Sequence, residues 1–177
     1  MEYSAILKFV EPYYKDKDIM HDMSHIERVL KSVNKIELNI EQSYDNEVIT
    51  YAAYFHGFIY SAEKDILKWL KNSGISEERI KFITKVAWES QKSEIPDTLE
   101  GKILHDAHMI EGGKTYLIVK SLITGSVRGQ NLEQTISYIE NNILGKGCCY
   151  LQVAQKVYEE QQKFAVEFIK DLKDGLT

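Results

Sequence analysis

Three side chains that can bind a metal stand on otherwise apolar faces of the predicted helices. Asp106 shares a helical stripe with Ile103 and Ile110. His56 occupies a similar position on its own helix, and His25 begins a third helix. Two imidazoles and one carboxylate that face a common core suit a divalent transition metal with open positions for water and substrate. The pattern therefore predicts His25, His56 and Asp106 as metal ligands.

The same side chains also have a purely structural interpretation. A histidine on an apolar face is commonly held by a hydrogen bond to a backbone carbonyl, and Asp106 could pair with an arginine such as Arg28. His105 and His108 lie off the Asp106 stripe, and we expect both to be exposed. The spacing alone leaves the two interpretations open.

Helices must position these candidates, because apolar residues recur at helical spacing along almost the whole chain. Ser24 and Glu27 have the spacing of a capping box, and Gly57 is a stop signal after the helix that carries His56. The segment "KTYLIVKSLITG" has strand propensity, but its length and its helical neighbours favour a buried helix. We predict seven to nine helices.

Composition supports a single all-α domain over residues 1–177. This length is enough for one domain with a sizeable core. The chain has only two prolines, and proline is the strongest helix breaker. The formal net charge of -5 argues against non-specific binding to nucleic acid. The adjacent Cys148 and Cys149 indicate no disulfide framework. We therefore predict a compact multi-helix bundle.

Location and partners follow from what the sequence lacks. No apolar stretch approaches the roughly 20 residues that span a bilayer. The first residues do not have the basic start and apolar run of a signal peptide. We therefore expect a cytoplasmic protein with no membrane partner and no strong nucleic-acid signal, and a homodimer is compatible with this expectation.

Three segments resemble the HD-domain superfamily of metal-dependent phosphohydrolases, namely "HDMSHIERVL", "AAYFHG" and "EGKILHDAHMIEGG". The resemblance covers most of the chain, and it implies an all-α, HD-domain-like bundle. Ligands in that family are a first histidine, an adjacent His–Asp pair and a later aspartate. His25, His56 and Asp106 match three of these positions. The aspartate of the pair is replaced by Gly57, so that one ligand is missing.

The resemblance also implies an activity and further site residues. It implies one divalent transition metal (Mn, Fe, Ni or Zn), bound weakly or not at all without the aspartate. The reaction would be hydrolysis of a phosphoester or phosphoanhydride in a nucleotide or small phosphorylated metabolite. We predict that Glu89 orients or deprotonates the attacking water. Arg28 and Lys114 are predicted to bind the substrate phosphate, Arg28 through its guanidinium.

Gly57 keeps a second hypothesis open, in which a degenerate HD domain binds a ligand or partner without turnover. A third hypothesis is a non-haem iron oxygenase, because two imidazoles and a carboxylate also suit iron and oxygen. We expect Gly57→Asp to raise the affinity for metal if the rest of the site is intact.

Overall fold

The computed structural model describes residues 3–176, which form nine α-helices and no strand. This result confirms the all-α bundle predicted from the sequence. No helix in this part of the chain is long and apolar enough to cross a bilayer. In chain order the helices are α1 (Tyr3–Tyr14), α2 (Met23–Glu37), α3 (Asn46–Phe55), α4 (Ile59–Asn72), α5 (Glu77–Glu89), α6 (Leu99–Met109), α7 (Tyr116–Val127), α8 (Leu132–Asn142) and α9 (Gln152–Leu176).

Five helices begin at a side chain that accepts a hydrogen bond from a free backbone N–H. Thr98 begins α6 in this way and accepts from the Gly101 N–H at 2.9 Å. The start of α2 differs from the prediction. Asp22 caps it and accepts from the Ser24 N–H at 2.9 Å. The predicted capping box of Ser24 and Glu27 is wrong, because the helix begins two residues earlier.

Helices α1–α6 enclose the larger of two hydrophobic cores. Its fully buried side chains are mostly isoleucine, valine and alanine, and each buried isoleucine contributes about 1.5–3 kcal/mol of transfer free energy. Helix α6 lies at the centre, where α2, α3, α5 and α9 all contact it. As a result, most residues of α6 are buried and none is exposed.

Helices α7, α8 and α9 pack around a second, smaller core. The segment with strand propensity is indeed the helix α7, but it is not a buried helix. Only Ile118 and Gly125 are buried in it, and Val119 is 47% exposed. One face of α7 packs on the second core and another lines a cavity beside the end of α6.

Candidate metal centre

Three imidazoles converge where α2, α3 and α6 meet. His25 lies in the first turn of α2, His56 follows the last residue of α3, and His108 lies in the last turn of α6. One ring nitrogen from each histidine lies within 4.8 Å of the other two. His25 and His56 are buried and His108 is half-buried. The structure therefore brings together two members of the predicted ligand set, and the third member of this cluster is His108.

Neither of the α6 histidines that we expected to be exposed is exposed, since His105 is buried and His108 is half-buried. The His105 side chain is buried, and its ring centroid lies 5.1 Å from that of Tyr150, just before α9. The ring centroids of His108 and His56 are 4.3 Å apart. The expectation of exposure is wrong because α6 is surrounded by other helices, so residues off the apolar stripe are also enclosed.

The hydrogen bonds of His56 fix which of its ring nitrogens carries the proton. Ser90 donates its only O–H to the Ala87 carbonyl at 2.6 Å. Nδ1 of His56 lies 2.7 Å from Ser90 Oγ and must therefore be the donor of that bond. The amide nitrogen of Gln91 instead donates to the His56 carbonyl at 2.9 Å. Neutral His56 thus carries its proton on Nδ1 and leaves the lone pair on Nε2.

A buried carboxylate fixes the orientation of His25. Nδ1 of His25 lies 2.9 Å from Oε1 of Glu111, which is 86 residues away in the sequence. An ionised carboxylate only accepts, so Nδ1 of His25 donates and Nε2 keeps its lone pair. A carboxylate behind a histidine in this way is a common support for a metal ligand.

Glu111 is the centre of a network of charged groups. Besides His25, it accepts from Arg28 Nε at 2.7 Å, Lys120 Nζ at 2.7 Å and the Tyr116 hydroxyl at 3.1 Å. Burial alone would raise the pKa of Glu111. The bond from His25 and the charge of Lys120 outweigh burial and lower this pKa to about 2. Glu111 is therefore ionised and acts only as an acceptor.

All three imidazoles of the cluster favour the neutral form that binds metals. Burial, together with the neighbouring His25 and Lys120, lowers the pKa of His56 to about 3. Burial also lowers the pKa of His108, with His56 adding to the effect. The pKa of His25 is lowered by burial as well, against the opposing effect of its bond to Glu111.

His108 supplies the test of whether these residues fit a metal. Its Nδ1 is buried and has no hydrogen-bond partner among the described residues. A buried polar atom without a partner is costly, and nearly all such atoms in proteins are paired. The cluster thus contains one imidazole nitrogen without a partner, Nδ1 of His108. His25 and His56 both donate through Nδ1, so each keeps a lone pair on Nε2. Three neutral imidazoles are a known ligand set for zinc, so the residues fit.

Asp106, the third ligand predicted from the sequence, is not a member of the cluster. It is completely buried, and its carboxylate accepts from the backbone N–H groups of Tyr150 and Leu151 at 2.9 and 2.7 Å. His105 Nδ1 lies 3.1 Å from the same carboxylate. These donors hold the residues that lead into α9. Nor does Asp106 pair with Arg28, which contacts Glu111 instead.

Glu89, the predicted catalytic residue, lies at the junction of α5 and α6. Its carboxylate accepts from the Thr98 hydroxyl and from the N–H groups of Asp97 and Thr98 at 3.2 and 3.3 Å. Gly101 leaves space for it, since a Cβ at that position would overlap Glu89 Oε2. The structure thus places Glu89 at the start of α6, and it is not part of the histidine cluster.

The two predicted phosphate-binding residues have different surroundings. Arg28 donates to Glu111 at 2.7 Å, to the Ser24 hydroxyl at 2.6 Å and to the Met20 carbonyl at 3.3 Å, so all three of its nitrogens are already engaged. Lys114 is exposed just before α7, and its ammonium lies 5.5 Å from the centroid of the Phe164 ring. Neither residue lines the cavity beside the cluster.

At Gly57, where the resemblance implies an aspartate, other side chains fill the space. A Cβ at this position would lie 2.7 Å from the Tyr14 hydroxyl and 3.0 Å from Lys17 Nζ. Both groups are held there, because Tyr14 donates to the Tyr54 carbonyl at 2.9 Å and Lys17 to the Gly57 carbonyl at 2.5 Å. Residue 57 thus contributes only backbone to this region.

A cavity of about 260 Å³ adjoins the cluster. His108 and Glu111 lie on its wall, so the cavity reaches the cluster at the end of α6. The cationic side chains that line it are Lys92, Lys120 and Arg128. Against these three, Glu111 is the one carboxylate among the described lining residues. The charge of the wall therefore favours an anionic ligand.

His108, Glu111 and Lys120 are the important site residues that sequence reasoning missed. A signal for the first two was present, since His108 and Glu111 follow the buried Leu104 at i+4 and i+7. No comparable signal pointed to Lys120, whose position depends on how α7 packs.

Comparisons with known proteins show which solved structures share this fold. Neither a protein-family model nor a curated protein sequence matches the chain. Solved structures do match. Bacillus subtilis YpgQ in complex with ADP is 18% identical, with a TM-score of 0.75 over 97% of this chain and 96% of that chain. A Lactobacillus plantarum protein is 14% identical, with a TM-score of 0.80 over 98% of this chain and 95% of that one.

A third similar structure carries a family name. An HD-superfamily hydrolase from Bacillus thuringiensis is 17% identical to the chain, with a TM-score of 0.72. The match covers 98% of this chain and 95% of that one. Together with the nine helices, these likenesses show that the chain has an HD-domain-like fold.

Proposed function

We propose that the protein is a divalent-metal-dependent phosphohydrolase that acts on a nucleotide or small phosphorylated metabolite. The observation that carries this proposal is the convergence of His25, His56 and His108 within 4.8 Å, beside a cavity with cationic walls. A bound divalent metal would polarise a phosphoryl oxygen and lower the pKa of a water toward ~7.

The identity of the metal follows from the ligand set. His25, His56 and His108 are three imidazoles, and no carboxylate belongs to this cluster among the described residues. Imidazole suits zinc, iron and nickel, whereas manganese prefers carboxylate and water. We therefore favour zinc, iron or nickel over manganese for this site.

The protein's own groups hold the site and bind the anion. Glu111 accepts a hydrogen bond from Nδ1 of His25, and Ser90 accepts one from Nδ1 of His56. These bonds fix the orientation of both rings and leave the lone pair of each on Nε2. Lys120 and Arg128 offer positive charge to a phosphate in the cavity. The roles predicted for Asp106, Glu89 and Lys114 are not carried into this proposal, because their contacts lie outside the cluster. Arg28 is not proposed to bind phosphate, because it is bonded to Glu111 and does not line the cavity.

Similar structures support a phosphorylated ligand. Bacillus subtilis YpgQ was solved in complex with ADP, and the Bacillus thuringiensis protein is an HD-superfamily hydrolase. The fold is shared over nearly the full length of these chains. By this likeness, a nucleotide is the first ligand class to test for the present chain.

Metal analysis and phosphate release test the proposal together. Protein purified without added metal is analysed by mass spectrometry and then assayed on a panel of nucleotides and sugar phosphates. We expect about one metal per chain and release of phosphate, both lost in His56→Ala and retained in His105→Ala. His105 is the matched control, because it is a buried histidine outside the cluster. A site that stays empty in excess zinc, iron and nickel would contradict the proposal.

A second candidate is a binding domain without turnover, and Gly57 favours it. The space for a carboxylate at this position is filled by Tyr14 and Lys17, so the charge that the aspartate would supply is absent. In this case we expect the nucleotide panel to bind with no phosphate released, whether or not metal is present. Calorimetry with a parallel phosphate assay separates the two candidates.

A further inference from the structure

Unpaired buried polar atoms are concentrated at the cavity. Four buried side-chain atoms in the described residues have no hydrogen-bond partner. Three of them belong to residues that line this cavity, namely His108, Thr124 and Gln161. A folded protein rarely leaves such atoms unpaired, and their grouping indicates a wall built to receive hydrogen bonds. His108 belongs to the metal centre, whereas Thr124 and Gln161 do not.

Gln161 has the most constrained geometry of these residues. Its side chain lies on α9 and is only 1% exposed. Its Nε2 lies 3.1 Å from the Gly113 carbonyl, which can only accept, so the amide nitrogen must face Gly113. The atom left without a partner is therefore the acceptor Oε1.

We propose that Gln161 Oε1 accepts a hydrogen bond from an O–H or N–H group on the non-phosphate part of the ligand. The proposal rests on the proposed function, in which the cationic wall binds the phosphate. A sugar hydroxyl and an amino group of a base both supply this chemistry. A buried acceptor discriminates strongly against a ligand that lacks the donor, because the acceptor is then left unpaired.

The positions of the charged and neutral groups agree with this assignment. Lys120 and Arg128 come from α7 and the residue after it, whereas Gln161 comes from α9, which faces α7 across the second core. Thr124 Oγ1, which can donate or accept, lies on the same wall. A ligand that fills the cavity thus meets positive charge on one element and an acceptor on another.

The test compares probes that differ in a single hydrogen-bond donor. Chelator-treated protein is titrated by calorimetry with AMP, with purine ribonucleoside monophosphate, which lacks the amino group, and with 2′,3′-dideoxy-AMP, which lacks the hydroxyls. We expect one of the two analogues to bind roughly 10-fold more weakly than AMP. Loss with the first identifies the amino group as the donor, and loss with the second identifies a hydroxyl.

Gln161→Met and Gln162→Met form the matched pair of variants. Gln162 also lines the cavity, but its Oε1 already accepts from the Gly145 N–H at 2.8 Å. We expect Gln161→Met to abolish the discrimination between AMP and the weaker analogue, and Gln162→Met to retain it. Thermal unfolding of both variants checks that they are folded.

The outcomes separate this proposal from the proposed hydrolase. If AMP binds more tightly than one analogue, the difference depends on Gln161 and no phosphate is released, the role of Gln161 is supported and only the proposed hydrolysis is contradicted. Equal binding of all three probes by the wild-type protein overturns the assignment, because water then satisfies Oε1. Discrimination that survives Gln161→Met, or binding of none of the probes, overturns it as well.

Discussion

Two buried carboxylates near the end of α6, Asp106 and Glu111, have nearly the same burial and very different surroundings. Backbone N–H groups of Tyr150 and Leu151, just before α9, donate to Asp106. Cationic and histidine side chains surround Glu111. The first arrangement fixes one segment of chain against another. The second fixes the orientation of a histidine beside a cavity.

This contrast shows how the role of a buried carboxylate can be assigned. Asp106 satisfies its charge with fixed main-chain donors and with a histidine outside the cluster, so it stabilises the fold. Glu111 satisfies its charge with Arg28, Lys120 and a histidine of the cluster, so it belongs to the site. Position on an apolar stripe predicts that a carboxylate is buried, but the donors around it decide its role.

The largest expected effect is on stability, in Asp106→Asn. The Tyr150 N–H lies within 3.0 Å of both carboxylate oxygens, so an asparagine in either orientation places its NH2 group against this N–H, and the negative charge that the buried donors surround is lost. We expect a loss of about 3 kcal/mol or more in the free energy of unfolding of the metal-free protein, measured with urea. Metal affinity of the folded variant should stay close to that of the wild type, and a large fall would return Asp106 to the ligand set.

His108→Ala has the largest expected effect on metal binding. Removing one of three imidazoles should lower the affinity for zinc by about 100-fold or more, measured by competition with a chromophoric chelator. The matched control is His105→Ala on the same helix, because the His105 ring faces Asp106 and Tyr150. Equal loss in both variants would show that the cluster does not hold the metal.

Glu111→Gln should have a smaller effect on the same affinity. The amide still reaches His25, but it loses the charge that holds the imidazole and pairs with Arg28 and Lys120. Loss of a carboxylate behind a metal-binding histidine typically costs 10- to 100-fold, and we expect about 10-fold. Glu100→Gln is the control, since this buried carboxylate accepts from the Asp45 N–H instead. A change in Glu100→Gln as large as in Glu111→Gln would contradict the comparison.

The smallest expected change in metal affinity is in Gly57→Asp. From the sequence this substitution should raise the affinity, but the structure reverses that expectation. The new side chain meets Tyr14 and Lys17, so we expect no gain in zinc affinity and a loss of about 1–3 kcal/mol in stability from overpacking. Gly57→Ala should show a similar loss of stability. A clear gain in affinity would mean that Tyr14 and Lys17 move aside.

Local patterns predicted much of the fold and part of the site. The helical spacing of apolar residues identified the helices, including α7, whose β-branched residues also suit a strand. It directed His25 and His56 toward the interior, where both are buried. It failed for His105 and His108, because a stripe defines the exposed side of a helix only when another side remains in solvent.

Residue spacing along the chain was enough to predict an all-helical protein with two inward-facing histidines, because helix formation and burial of an apolar face depend on residues three and four positions apart. The groups that those histidines contact depend on how the helices pack. His25 and Glu111 are 86 residues apart, and Gly57 faces Tyr14 across 43 residues. Such contacts depend on how helices pack, and a pattern within one helix carries no information about the donors that another helix brings to it.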